Sequence, residues 1–421
     1  VWDYVMLNPP PPAHSKIPIE TLNKLKREFH YWYPVDLRVS GKDLIQNHLT
    51  FFLYNHAAIF PEEYMPQAIR TNGHVLLNGE KMSKSTGNFK TLKQALEEYS
   101  ADAMRFALAL AGDSNEDANF EHTVANAAIL KLTNELQFIK TTLEAQGGMR
   151  TGPLELFVDR VFENEINRYI KSSEACYELM NYREVVVEAW DKLQNARDKY
   201  RAMVGPHGMH RDLILSFIRK QTLIMSPFIP HYAEHVWEVL GHKESVMAAR
   251  WPEAGHIDPI LIRQVTYFDK VLSDARSKVE KARVKGAVAK ATWYIADSFL
   301  DWQQATLGVL QGVHDRGESF GKDFKKGLLS NPALVPYKSH SKMLMPFAAY
   351  VLDDYAVRGP EAFELKMPFD EGGIWADSLE YVKKELGLEH LEISAWSDLK
   401  DEALLKKLQP ATPGKPTMTW V

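Results

Sequence analysis

The sequence predicts a chain in three parts: an open α/β segment, an all-helical bundle and a smaller α/β module of the α+β kind. Three observations predict it. A strand-like run, a glycine turn and an apolar helix follow one another across residues 31–60, and a lysine-rich loop lies between a short apolar strand and a second helix at 75–110. From about Asp113 to Leu240 strand signals nearly vanish, and apolar residues step by three or four. Strand-like and helical runs then alternate again. The expected parts are 1–112, 113–256 and 257–421.

In the first part, Asn8 to Pro12 is proline-rich and reads as an extended connector. Ile19 to Phe29 has the spacing of a surface helix. Tyr31 to Val39 is rich in aromatic and β-branched residues and reads as a strand. Ser40-Gly41-Lys42-Asp43 ends it, and Leu44 to Phe60 reads as one apolar helix closed by Pro61. Val75, Leu76 and Leu77 form a short strand before the loop Lys81-Met82-Ser83-Lys84-Ser85. Thr91 to Leu110 is then amphipathic, with Leu92, Leu96, Tyr99, Ala103 and Phe106 on one stripe.

In the second part, Val124, Ala128, Leu132, Leu136, Ile139 and Leu143 mark one long helix, and Tyr182 to Tyr200 another. Breaks are expected at Gly147-Gly148 and Gly205-Pro206, and the prolines within 225–230 should kink or restart a helix before Trp237. In the third part, Ala291–Ala296, Phe363–Met367 and Leu391–Ala395 read as strands. Asp301–Val313 and Asp377–Leu386 read as helices, giving a small sheet with helices on one face.

Composition narrows the function classes. The 421 residues are 45% hydrophobic and 25% charged, ordinary for a globular protein, with a formal net charge of −5. Any RNA contact must therefore come from local patches. One such patch is the basic stretch Arg276, Lys278, Lys281, Arg283, Lys285 and Lys290, which a solvated helix or linker would explain equally well. Cys176 stands alone, so no internal disulfide and no cysteine-based structural zinc site are expected. No apolar run is long enough for a membrane span. The first residues lack both a starting methionine and signal-peptide character, so the chain is expected to begin inside a larger protein.

Two constellations carry chemistry. Two lysines three apart, among small hydroxyl residues, can place mobile ammonium groups on a polyphosphate. Alone this is weak, because most basic pairs are solvated surface. Gly41 permits close approach to a planar ligand, and Asp43 at a strand end can accept the hydroxyls of a ribose. The competing reading makes Asp43 a helix cap and His48 an ordinary helix histidine, about a turn further along. The pairing of the two constellations favours a nucleotide site.

Together these residues resemble a known family. Lys81 to Ser85 match all five letters of the KMSKS loop of class I aminoacyl-tRNA synthetases. Residues 31–48, 72–78, 80–89 and 111–120 are similar to the second half of the catalytic domain of cytosolic, eukaryotic or archaeal-type, leucyl-tRNA synthetases. Residues 196–201 and Pro413 to Pro416 resemble the same branch. The likeness runs unevenly over nearly the whole chain and is strongest from Trp32 to Phe120.

The resemblance implies a partial Rossmann-type catalytic half-domain, an anticodon-binding-type bundle and a C-terminal tRNA-binding module. It implies a cytoplasmic ligase that condenses leucine with ATP and passes leucine to tRNA(Leu). By the family's pattern, Lys81 and Lys84 hold the β- and γ-phosphates and act as the catalytic groups. Gly41, Asp43, Leu76, Leu77, Met82 and Ser83 complete the ATP site, and His48 shapes the leucine pocket. Mg²⁺ comes with ATP rather than in a protein cage. Arg276, Lys278, Lys281, Arg283 and Lys285 are candidates for tRNA phosphate.

The family's other catalytic signature, a His-x-Gly-His loop, is absent, as is its editing domain. His207-Gly208-Met209-His210 is a near-anagram in the helical region and reads as a plain loop. The chain as given is therefore expected to be inactive alone. The rival from another class is a non-catalytic RNA-binding or interaction protein made from this half.

Overall fold

The computed structural model describes residues 1–421 except 285, 322, 323, 325, 326, 409 and 421, and the side chains of 402, 406 and 407. The chain divides into two compact units. One comprises 1–147, 169–194 and 216–253; the other comprises 148–168, 195–215 and 254–421.

The first unit opens with α1 (Trp2–Leu7) and α2 (Ile19–Trp32). The strand expected over Tyr31–Val39 is shorter and later: α2 runs through Trp32, and β1 spans Arg38–Gly41. The aromatic residues that suggested a strand instead form a cluster in which Phe29 stacks on Tyr33 and Phe60, and Tyr33 on His56. The apolar helix expected from Leu44 to Phe60 is also broken. A 3₁₀ turn covers Lys42–Leu44 and a π-turn Ile45–Leu49 before α3 (Thr50–Ile59) begins. The Thr50 hydroxyl donates to the Ile45 carbonyl (2.7 Å), which caps the widened turn.

β1 pairs in parallel with β2 (Ile69–Asn72), Gly41 facing Asn72. β3 (Val75–Leu77) follows at once and lies between β4 (Glu80–Lys81) and β5 (Ala118–Phe120), antiparallel to β4 and parallel to β5. β5 lies in the stretch where strand signals had faded; three residues are too few to show a period. The helix expected over Thr91–Leu110 is two, α4 (Leu92–Tyr99) and α5 (Ala101–Ala111), separated by Ser100 at φ +68°. Thr91 and Gln94 form a capping box at the start of α4.

α6 (His122–Ala145) is the long helix its periodicity predicts, ending at the Gly147-Gly148 break. α7 covers Phe157–Glu178. α8 (Tyr182–Val186) continues through a π-turn, Val187–Lys192, into α9 (Leu193–Val204). α10 (Arg211–Met225) and α11 (Pro230–Val239) flank the proline turn. In the first unit α5 docks on that turn. Asp102 is buried and accepts the Tyr232 N–H (2.6 Å), while Arg105 donates to the carbonyls of Pro227 and Phe228. Phe106, Trp190 and Tyr232 meet edge-on beneath it.

In the second unit Arg150 grips Asp159 through two hydrogen bonds (2.9 and 2.7 Å), and Tyr200 donates to the same carboxylate. His210 is buried there, its N–H on the Tyr200 hydroxyl and its ring on the Gly152 carbonyl. The His207–His210 segment is thus a structural loop. α12 (Pro259–Arg283) leads into the C-terminal sheet, where β6 (Lys290–Ile295) lies between parallel β7 (His390–Ala395) and antiparallel β8 (Thr417–Trp420). α13 (Asp301–Asp315), α14 (Ser341–Arg358), α15 (Glu371–Asp377) and α16 (Leu379–Glu385) complete the described core. The strand expected at Phe363–Met367 is absent: Phe363 closes a 3₁₀ turn and stacks on Tyr355. Trp375 sits between Phe268 and Trp293 and donates to the Tyr267 hydroxyl.

Glu371 is buried beside that cluster and accepts the Gly414 N–H (2.8 Å). Burial pushes its carboxyl up to about 7 from 4.5. The folded state therefore holds a proton that the unfolded chain releases earlier. Its stability is fully present at acid pH and falls as pH rises through that interval, by about 3 kcal/mol at most. Glu371→Gln, which keeps the acceptor for Gly414, should raise Tm by several degrees at pH 8 and leave it unchanged at pH 4.5. Thermal unfolding at the two pH values checks this.

Candidate functional site

The lysine loop is presented by a tight hairpin. Asn78 and Gly79 join β3 to β4 with φ +50° and +83°, both left-handed, as a type I′ turn requires. The Gly79 N–H donates to Asn119 (2.6 Å), and Asn78 accepts the His122 N–H, so β5 holds the turn from below. Lys81 pairs across the hairpin with Leu76. Beyond it the chain folds on itself: the Ser83 N–H donates to the Asn88 carbonyl (2.9 Å), the Thr86 hydroxyl to Ser83, and the Gly87 N–H to Lys84. Gly87 sits at φ +71°, closing the turn.

Lys81 and Lys84 are exposed, and neither ammonium has an ion-pair partner among the described residues. Met82 is exposed, Ser83 half-buried, and the Ser83 hydroxyl meets Ser85 at 2.8 Å. Leu76 is half-buried and Leu77 is in the core, because successive strand residues face opposite ways. Leu76 and Met82 have side-chain surface to offer a ligand; Leu77 has its backbone.

Gly41 closes β1, and Asp43 sits on the 3₁₀ turn directly after it. A Cβ on Gly41 would stand 2.6 Å from the Asp43 carboxylate, so glycine leaves that oxygen its room. The Asp43 side chain caps no helix N–H and is exposed. His48 is exposed on the π-turn and accepts from the Arg38 guanidinium (3.2 Å). The 3₁₀ and π turns between Asp43 and His48 replace the regular helical turn that their spacing suggests.

What joins the two constellations is a segment whose role the sequence hides. Lys42 donates to Asp117 (2.7 Å) and to the Asn115 carbonyl (3.1 Å). Asp117 also accepts the His74 N–H (2.8 Å), and Lys42 followed by that N–H holds its carboxyl below the usual range. Thr71 donates to Asn115, and Arg70 to the carbonyls of Asp113 and Met180. A Cβ on Gly73 would lie 2.1 Å from the Glu116 carbonyl oxygen. The 113–117 segment is thus clamped over the ends of β2 and β3. Asp117 bridges Lys42, next to Gly41 and Asp43, to His74, two residues before the Leu76 that faces Lys81. Asp43 follows β1 in the two-stranded sheet, the lysine hairpin lies in the three-stranded sheet, and Asp117 links the two. Only a spacing of some seventy residues between Lys42 and Asp117 carries this link, and no local pattern reveals it.

The basic patch is divided. Arg276 pairs with Glu385, and Arg283 donates to the carbonyls of Leu386 and Gly387 at the end of α16. Lys278 and Lys281 are exposed on α12, and Lys285 lies outside the described residues. Among the described residues no cluster of three or more metal-ligating side chains is present, and no helix is long and apolar enough to cross a membrane.

Comparison with known proteins matches residues 17–137 to a family described as tRNA synthetases class I (M), and residues 159–293 to the anticodon-binding domain of tRNA ligase. The cytoplasmic leucine–tRNA ligase of Pongo abelii is 41% identical over 99% of this chain. The chain belongs to the leucyl-tRNA synthetases. It spans 36% of that relative's length and corresponds to the C-terminal portion of these longer proteins. The Dictyostelium discoideum enzyme is 41% identical over the whole chain and 40% of its own length. The Aeropyrum pernix enzyme is 40% identical over 76% of the chain and 33% of its own. A solved leucyl-tRNA synthetase from Agrobacterium radiobacter, in a ternary complex with tRNA and LeuAMS, covers 63% of this chain and 31% of its own, with a TM-score of 0.46 and 18% identity.

Gly73→Ala drives a methyl group into the Glu116 backbone, so it should destabilise the first unit by roughly 1–3 kcal/mol or more. Hydrogen exchange at 113–117 should rise with it, and unchanged exchange there would remove the clamp.

Proposed function

We propose that this chain supplies the lysine-loop side of the ATP site, together with tRNA-binding surface, to a cytoplasmic leucine–tRNA ligase. The observation that carries the reading is the Asp117 link between the Gly41–Asp43 turn and the strand leading to Lys81 and Lys84, whose ammonium groups, like the Asp43 carboxylate, have no ion pair among the described residues. In this account the leucine carboxylate attacks the α-phosphorus of ATP, forming leucyl-adenylate and releasing pyrophosphate. A hydroxyl of the terminal ribose of tRNA(Leu) then attacks the leucyl carbonyl, forming the ester and releasing AMP.

Charge builds on the β- and γ-phosphates as the bond to the α-phosphorus breaks. Lys81 and Lys84 neutralise it there, which favours the transition state over the bound substrate. Asp43 accepts the ribose hydroxyls, and Gly41 admits the nucleoside above it. Leu76 and Met82, with the Leu77 and Ser83 backbone, border the adenine. His48, oriented by Arg38, borders the leucine side chain. Mg²⁺ arrives with the triphosphate. We further assign residues 1–112, 113–256 and 257–421 to catalytic, anticodon-binding and tRNA-binding roles. Of the basic patch, Lys278 and Lys281 meet phosphate, whereas Arg276 and Arg283 fasten α12 to α16.

In the full-length enzyme, Lys84→Ala should slow leucine-dependent pyrophosphate exchange about 10²- to 10³-fold while shifting leucine binding less than about threefold, as expected for a transition-state contact. An unchanged exchange rate removes Lys84 from this role. The chain alone should show no exchange but should bind tRNA with an affinity that falls as salt rises. Replacing Lys278 and Lys281 together should reduce the log–log salt slope by about 2, roughly one per phosphate contact, whereas Arg276→Ala should leave it unchanged.

A further inference from the structure

The second unit contains a cleft of about 470 Å³ between α12, α14 and the 413–414 turn. That volume is typical of a small-molecule site. The walls are largely apolar and aromatic, with Ile262, Tyr267, Tyr350, Val351, Met367 and Phe369 prominent.

The charged groups at the cleft fall into two classes. Arg263 is paired with two carboxylates, Glu361 (3.1 Å) and Glu364 (3.4 Å), and Arg358 with Asp354. The remaining charged lining residues are Lys270 and Lys366, and neither has an ion pair among the described residues. The Lys270 ammonium lies 5.5 Å from the centre of the Tyr350 ring, and that of Lys415 lies 4.4 Å from it. Burial, then the nearby Lys278 and Lys270, hold the Lys415 ammonium below its ordinary range, with Asp274 opposing them. Lys270 and Lys366 therefore bring two ammonium groups without ion pairs among the described residues to an apolar chamber.

The chamber is also preformed. Gly414, at φ +79°, accepts the Tyr350 hydroxyl (3.3 Å) and donates to buried Glu371 (2.8 Å). Such fixed walls lower the ordering cost of binding.

We propose that this cleft binds a small aromatic monoanion. Its flat body lies among Tyr267, Met367 and Phe369, and its acid group meets Lys270. A neutral aromatic leaves the ammonium groups uncompensated, and a cation is repelled. No residue assigned to the ATP site takes part, so this site stands or falls independently of that reading.

Anilinonaphthalene sulfonate is a probe of this class, and N-phenylnaphthylamine is its neutral counterpart. Fluorescence titration and calorimetry on the full chain should show one saturable sulfonate site. Lys270→Glu should weaken it at least about tenfold, and the neutral analogue should bind correspondingly worse. Thr266 is exposed on the cleft wall, so Thr266→Trp should fill the chamber and abolish the site without changing circular dichroism or Tm. The proposal is overturned by absence of saturable binding, by binding that survives Thr266→Trp, or by equal affinity for the neutral analogue.

Discussion

Gly73 has no side chain because the Glu116 backbone leaves no room for one. That close approach is the constraint on which the candidate nucleotide site depends. It lays the 113–117 segment across the strand ends, where Asp117 meets both Lys42 and the His74 N–H. Lys42 adjoins the Gly41–Asp43 turn, and His74 leads into the strand whose hairpin carries Lys81 and Lys84. One carboxylate thus ties together the two candidate pieces of the site, which are about forty residues apart in the sequence.

The arrangement also sorts the charges. Lys42, Arg70 and Arg105 are engaged with carboxylates or carbonyls inside the first unit, and Arg276 and Arg283 do the same within the second. These groups build the scaffold. Asp43, Lys81 and Lys84 stay exposed with no ion pair among the described residues, which leaves them open to a ligand. The hairpin matters because its left-handed Asn78-Gly79 corner sets where the lysines emerge, while the 83–88 turn keeps their backbone hydrogen bonds satisfied.

The sequence made much of this legible. The long helices were readable because many residues share one period, as in α6 and in the run from Tyr182 to Val204. The lysine loop was noticeable through its five-letter match to a family signature, since a basic pair alone is more often solvated surface. What failed was short or non-local. Tyr31–Val39 looked like a strand because aromatic residues favour strands, yet Phe29, Tyr33, His56 and Phe60 gather in a cluster that only the tertiary fold defines. β5 and β8 are three and four residues long, too short for alternation to register. Gly73 and Asp117 carry no local signal, and neither do the partners of Arg276 and Arg283.

The most direct measurement is a structure of the full-length enzyme with a non-hydrolysable leucyl-adenylate analogue and pyrophosphate. The account predicts the ribose hydroxyls on the Asp43 carboxylate, the nucleoside over Gly41, and the Lys81 and Lys84 ammonium groups on pyrophosphate oxygens. A ribose held elsewhere, with Asp43 still open to solvent, would contradict it.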